Sequence, residues 1–248
     1  MNKQKKTENI QIEKLQFPMR INRYLATKGH STRRGADLLI TKNKVFINGK
    51  LAELGDKVTE SDKVEVRSKN SKKYSYYAYN KPRGIVTHSP QKDEEDIKKM
   101  LGGATEMKDV FPIGRLDKES HGLIILTNDG RITDRLLNPE FTHEKEYIVK
   151  TKNRLRESFK KYMEQGVKIE DYTTKPCKVR VINDHLFSII ITEGKKHQIR
   201  RMVVAMHNEV KDLQRTRILN ITLGKLEAGE FREIKSEELK EFLTRVGL

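Results

Sequence analysis

The sequence predicts an α+β protein: a small basic module followed by a larger domain around a mixed, mainly antiparallel sheet. Two observations point there. Strand-like segments follow one another in hairpin succession, and helical patterns interrupt them irregularly, without the strict alternation of a doubly wound sheet. A polar stretch without periodicity, SKNSKK from Ser68 to Lys73, reads as a linker between residues 19–67 and 74–248.

Composition narrows the partners. The 248 residues carry a formal charge of +16, with 35% apolar and 35% charged side chains. Such an excess favours a polyanion, nucleic acid first. No apolar run approaches the ~20 residues a membrane helix needs. Residues 1–18 are polar, lack the apolar centre of a signal peptide and read as a flexible basic arm. Cys177 is the single cysteine, so no intrachain disulfide can form and a reducing cytoplasm is the expected location. The seven histidines are scattered and none forms an H-x-x-x-H pair, so no metal site is expected.

In the front module, Ile21, Tyr24 and Leu25 have the spacing of a helix with one buried face, and Gly29 is placed to end it. Ser31 or Thr32 can cap a second helix, on which Ala36, Leu39 and Ile40 share a face. KVFING is a strand running into Asn48-Gly49, a hairpin signal, and DKVEV closes the module as another strand. Arg20, Arg23, Arg33 and Arg34 lie on or beside the helices, away from the apolar positions. From Met19 to Lys69 there are 12 Lys and Arg against 6 Asp and Glu. A solvated basic face would explain this; a phosphate-gripping surface explains it better, because guanidinium forks suit backbone phosphates. Residues Arg20, Tyr24, Gly29, Arg33, Arg34, Ala36 and VFING resemble the small RNA-binding "S-four" domain, with Asn43 where that family usually has Gly. Asn tolerates the left-handed backbone a Gly there would supply.

In the larger domain, YSYYAYNKPRGIVT is strand-like and interrupted at Lys81-Pro82-Arg83-Gly84. Asp93–Leu101 reads as a short helix stopped by Gly102-Gly103. DVFPIGRLD leads into the strand GLIILT, stopped by Asn128-Asp129-Gly130. RITDRLLN is helical with Ile132, Leu136 and Leu137 on one face. KEYIVKT is a strand, and RLRESFKKYMEQG an amphipathic helix. CKVRVIN and LFSIIITEG are strands joined at Asp184-His185. KKHQIRRMVVAMHN is a basic helix with Ile199, Met202, Val203 and Met206 inward. RTRILNITLG is a strand region, and SEELKEFLTRVGL a terminal helix capped by Ser236.

No G-x-G-x-x-G, G-x-x-x-x-G-K-[ST] or G-x-S-x-G occurs, which disfavours nucleotide-dependent enzymes, Rossmann-type methyltransferases and serine hydrolases. Any chemistry must use ordinary side chains. Asp117, Tyr147 and Arg200 are candidates from three segments, yet each has a plain structural explanation: a loop carboxylate paired with Arg115, a core aromatic, one more phosphate contact.

GRLDKESHGLIILTNDG, EKEYIV and GKKHQIRRM, in that order and spacing, resemble the three motifs of the ribosomal RNA pseudouridine synthases of the RsuA/RluB/RluE/RluF group. FPIGRLDKES, HEKEYIV, TKPCKV and RTRILN are most similar to the RluF type, which acts on large-subunit ribosomal RNA. Lys196-His197 departs from the Asn-Arg common in the group. The resemblance implies a pseudouridine synthase domain at 74–248 and isomerisation of a uridine: the N-glycosidic bond breaks, the base turns over, and C5 joins the ribose. Nothing is added or removed, so no cofactor is implied. It also implies Asp117 as the essential carboxylate, either attacking the ribose or assisting loss of its 2′ proton. Tyr147 is the aromatic that stacks on uracil, and Arg200 the guanidinium that keeps Asp117 charged, with Arg115 as the alternative partner and substrate contact. Leu223 is the apolar floor. Arg20, Arg23, Arg33, Arg34, Lys50, Lys196 and Arg201 are the expected RNA contacts. The implied partner is ribosomal RNA, with transfer RNA as a further substrate left open, and the absence of a heptad seam makes a monomer the expectation. A non-catalytic ribosome-assembly protein on the same scaffold is the competing reading; retention of Asp117, Tyr147 and Arg200 together argues against it.

Overall fold

The computed structural model describes residues 16–67, 74–102, 107, 109–170 and 172–248. Most of the expected basic arm, residues 1–15, and the whole expected linker, 68–73, lie outside the described residues. The chain divides into two compact units with the border at residues 72 and 73.

The first unit contains β1 (Met19–Arg20), α1 (Ile21–Thr27), α2 (Arg33–Thr41), β2 (Val45–Ile47), β3 (Lys50–Leu51), β4 (Lys57–Val58) and β5 (Val64–Val66). Helix α1 buries Ile21 and Leu25 completely. It ends as its glycine predicts: Gly29 has φ +80°, its amide donates to Ala26 O, and the His30 amide donates to Leu25 O. Thr32, not Ser31, caps α2 by accepting the Gly35 amide at 3.0 Å, worth about 1 kcal/mol. Ala36 and Ile40 then meet Val45, Ala52 and Val58 in the core. Asn48 and Gly49, at φ +51° and +80°, turn β2 into β3, and β5 pairs with the other edge of β2.

The second unit contains β6 (Tyr76–Lys81), α3 (Ile97–Met100), β7 (Phe111–Ile113), β8 (His121–Thr127), α4 (Arg131–Leu137), β9 (Lys145–Thr151), α5 (Phe159–Glu164), β10 (Lys168–Ile169), β11 (Tyr172–Thr173), β12 (Lys178–Asn183), β13 (Leu186–Ile191), α6 (Gln198–Ala205), β14 (Val210–Ile218), β15 (Ile221–Thr222), β16 (Phe231–Glu233) and α7 (Ser236–Arg245). One large sheet runs β12-β13-β9-β14-β8-β6-β16, with β7 added to β8 and β15 to β14. Its strands pair antiparallel except β8 with β14, which run parallel. The sheet is therefore mixed and mainly antiparallel, as the strand succession predicts.

Helices α5 and α6 cover one core, built on Tyr147, Val149, Phe187 and Ile189. Helices α4 and α7 cover a second around Tyr76, Leu123, Ile125 and Ile218. Strands β6 and β8 are buried almost throughout, which explains their continuous apolar runs. The stop after β8 is ionic as well as conformational. Buried Asp129 accepts the Tyr76 hydroxyl and a two-pronged contact from Arg131, and burial against this carboxylate pushes the Tyr76 phenol up.

Several boundaries differ from the sequence expectation. Helix α3 is a single turn rather than Asp93–Leu101: Asp96 caps it by accepting the Lys99 amide, and Asp93 is left-handed at φ +70°. Helix α5 starts at Phe159 rather than Arg154, because the Leu155 amide is already bonded to Asp184 O. Leu137 closes α4 at 41% exposure instead of sharing the buried face. Ser236 is the first residue of α7 and makes no side-chain cap bond. Strand β14 begins five residues before RTRILN, and the short β10, β11 and β16 had no pattern to mark them.

Gly122 sits where the parallel pair meets, opposite Arg215, at φ +103°. A Cβ there would lie 2.3 Å from Arg215 O. Gly122→Ala is expected to cost at least roughly 2 kcal/mol, from backbone strain and overpacking together. Urea unfolding followed by tyrosine fluorescence reads it, since seven of the eight tyrosines lie in this unit and the chain has no tryptophan. A change under half that size would show that β8 and β14 separate without penalty.

Candidate active site

Asp117 lies in the turn between β7 and β8, and this turn is fastened on both sides. Buried Thr87 donates its hydroxyl to Leu116 O at 2.8 Å and accepts the Leu116 amide at 3.0 Å. The Gly84 amide donates to Lys118 O at 2.8 Å, and the Ser120 amide closes the turn onto Asp117 O at 3.0 Å. Arg200, on α6, donates to Glu119 O at 3.1 Å and to Ser120 Oγ at 3.3 Å. Arg83 adds an ion pair to Glu119 at 3.1 Å. Each such bond contributes on the order of 1 kcal/mol; together they leave the Asp117 backbone little freedom. Its carboxylate is 36% exposed, so it is open to a ligand while its backbone is fixed.

Tyr147 is 8% exposed on β9 and packs in the same core as Leu116, the residue before Asp117. Cross-strand pairing sets Tyr147 opposite Arg215 on β14 and Ile189 on β13. Three segments distant in sequence thus converge: the β7–β8 turn, β9 and the start of α6.

The ion pair of Asp117 is not the expected one. Arg200 spends its N–H groups on Glu119 O, Ser120 Oγ and Val210 O. Arg115 is exposed, and its guanidinium has no hydrogen bond or ion pair among the described residues. The group facing Asp117 is His197, with Nε2 3.4 Å from Oδ1. Both side chains are partly exposed, so the pair contributes about 1 kcal/mol or less.

Leu223 packs in the second core with Ile113, Leu123 and Ile218, and Tyr147 in the first. Arg201 is committed to Glu170 at 3.0 Å and to the Tyr172 hydroxyl at 3.1 Å, which ties α6 to the β10–β11 hairpin rather than leaving a free phosphate contact. Lys196 is exposed at the start of the same helix.

Sequence reasoning missed the buried cations behind the turn. Lys81 is fully buried and donates Nζ to Pro82 O at 2.8 Å and Ile85 O at 2.6 Å. Burial pulls it down to about 8, with Asp117 and Glu119 pulling the other way. Lys145 is likewise lowered by burial to about 8, and Arg215 lowers both lysines. Arg215 is 3% exposed; it donates Nε to Leu123 O at 2.7 Å and Nη1 to Arg115 O at 3.4 Å, directly beneath the turn. A lysine closing an apolar strand before Pro82 was the available signal. It read as the end of the strand.

In the first unit, Arg20, Arg23, Arg33, Arg34 and Lys50 are exposed, and none of their side chains has a partner among the described residues. Arg20, Arg23, Arg33 and Lys57 line one open cleft, together with Phe17 and Asn22. Among the described residues no carboxylate lines it, which leaves four cations open to an anion.

Comparison with known proteins agrees with this arrangement. A family model described as RNA pseudouridylate synthase matches residues 75–205, and one described as S4 domain matches residues 19–64. The dual-specificity RNA pseudouridine synthase RluF of Escherichia coli (strain K12) is 39% identical over 226 residues, covering 89% of this chain and 77% of that protein. Ribosomal large subunit pseudouridine synthase B of Bacillus subtilis (strain 168) is 32% identical over 231 residues, covering 89% and 94%. A crystal structure of a pseudouridylate synthase matches with a TM-score of 0.68 at 27% identity, over 90% of this chain and 99% of that one. With a fastened aspartate turn in the second unit and an RNA-binding module in the first, the chain belongs to the RNA pseudouridylate synthase family.

Proposed function

We propose that the protein isomerises one defined uridine of large-subunit ribosomal RNA to pseudouridine, with Asp117 as the essential carboxylate. The observation that carries this reading is the presentation of Asp117: an accessible carboxylate on a turn held by Thr87, Gly84 and Arg200. Large-subunit ribosomal RNA follows from the similarity to the RluF and large-subunit enzymes, and from the net charge of +16. The protein acts as a monomer in the cytoplasm.

The target base must leave its stack to reach Asp117, at a cost of a few kcal/mol. Phosphate contacts by Arg20, Arg23, Arg33, Arg34, Lys50 and Lys196 offset that cost. Tyr147 supplies the aromatic ring that stacks on the uracil, and Arg200 acts through the backbone of the turn. The isomerisation is internal, so its stoichiometry calls for no co-reactant. Holding the detached base in place with water excluded favours rejoining at C5 over hydrolysis.

Two measurements test the reading. Purified protein incubated with large-subunit ribosomal RNA carrying uridine tritiated at C5 is expected to release tritium, and Asp117→Asn to abolish the release. Equal release from both would remove Asp117 from the mechanism. Release from transfer RNA alone would move the substrate, and no release from either would favour a binding protein. Separately, the triple variant Arg20→Ala, Arg23→Ala, Arg33→Ala is expected to lower the slope of log affinity against log salt by roughly 2, at about 0.7 per lost phosphate contact. An unchanged slope would mean that the cleft of the first unit does not meet the RNA backbone.

A further inference from the structure

The motif at the start of α6 departs from its group at His197, and the structure gives that departure a place. His197 stands at the N-cap of α6 with φ +52°, a left-handed conformation that costs energy for a residue with a Cβ. The neighbours enforce it. The Gln198 side chain accepts the Lys195 amide at 2.9 Å and donates to Glu193 at 2.7 Å, Gln198 and Glu193 being buried, while the Gln198 amide donates to Lys195 O at 3.1 Å. The turn 194–197 is therefore closed from both sides by the first residue of the helix. The conformation so imposed places the imidazole Nε2 3.4 Å from Asp117 Oδ1.

Arg115 is exposed and makes no ion pair with Asp117, and the other nearby cations are bonded elsewhere. Arg200 holds the backbone at Glu119 and Ser120, Lys81 holds two carbonyl oxygens, and Arg215 holds Leu123 O and Arg115 O. Among the described residues, His197 is the basic side chain within ion-pair distance of the Asp117 carboxylate.

We propose that His197 is a positioning residue for the reaction: its Nε2–H fixes one carboxylate oxygen of Asp117 and leaves the other turned toward the ribose. This rests on the assignment of Asp117 above. A general phosphate contact would not require a strained backbone, nor a helix that grips the Asp117 turn from the same end.

The test uses the full-length protein and tritium release from the labelled large-subunit RNA. His197→Gly suits the left-handed backbone and removes only the imidazole. It is expected to lower kcat about tenfold or more, as misorientation of a reacting group does, with KM held within about twofold. Added imidazole is expected to restore a large part of the lost kcat, because the vacated position is half-exposed, and to leave Asp117→Asn inactive. His197→Asn, which also tolerates this backbone and keeps an N–H donor on a shorter side chain, is expected to fall between wild type and His197→Gly.

Unchanged kcat in His197→Gly would overturn the role, as would a rise in KM alone, which marks an RNA contact. A fall that imidazole does not relieve would also overturn it, because the side chain would then act through the fold. Each of these leaves an active wild type. An inactive wild type would instead sink the assignment of the reaction itself.

Discussion

A reacting carboxylate must be open to its ligand and yet immobile, and hydrogen bonds to the neighbouring backbone reconcile the two. In this chain they converge on five consecutive residues, Leu116 to Ser120. Thr87 takes the residue before Asp117, Gly84 the one after it, and Arg200 the next two. None of these bonds uses the carboxylate. The side chain is left open beside His197, while the main chain is spent on the scaffold. The sheet order, the single parallel pair and the placement of α6 all bring those donors and acceptors to one turn.

The electrostatics of the site follow from the same economy. Lys81 and Arg215 lie buried beneath the turn, each donating two N–H groups to carbonyl oxygens. A buried cation bonded only to neutral acceptors is costly, and burial accordingly draws Lys81 down to about 8. The favourable pull of Asp117 and Glu119 couples the stability of that lysine to the carboxylates of the turn. Positive charge at the floor and free arginines on the first unit make two separate uses of the same excess. One lies beneath the Asp117 turn, and the other stands exposed on the first unit.

Much of this was legible in the sequence where local chemistry decides. Gly29, Thr32 and Asn48-Gly49 set the helix ends and hairpin of the first unit without reference to distant residues. The apolar run of β8 and its Asn128-Asp129-Gly130 stop were equally local. What escaped depended on tertiary partners. Leu155 is drawn from a helix by Asp184 O, and β14 is lengthened by pairing with β9. The site divides the same way. Asp117 and Tyr147 stood out through their motifs, but the partner of Asp117 could not be read from charge alone. Arg200 and His197 are three residues apart on one helix, and only the three-dimensional arrangement decides which takes the carboxylate and which takes the backbone.

That division of labour along α6 has a mechanical consequence. The helix holds the Asp117 turn by its main chain through Arg200 and meets its side chain through His197. Thr87 and Gly84 hold the same turn from the other side, so the helix and the turn are braced against one another, and a drift of α6 must work against hydrogen bonds at both ends before His197 and Asp117 can part.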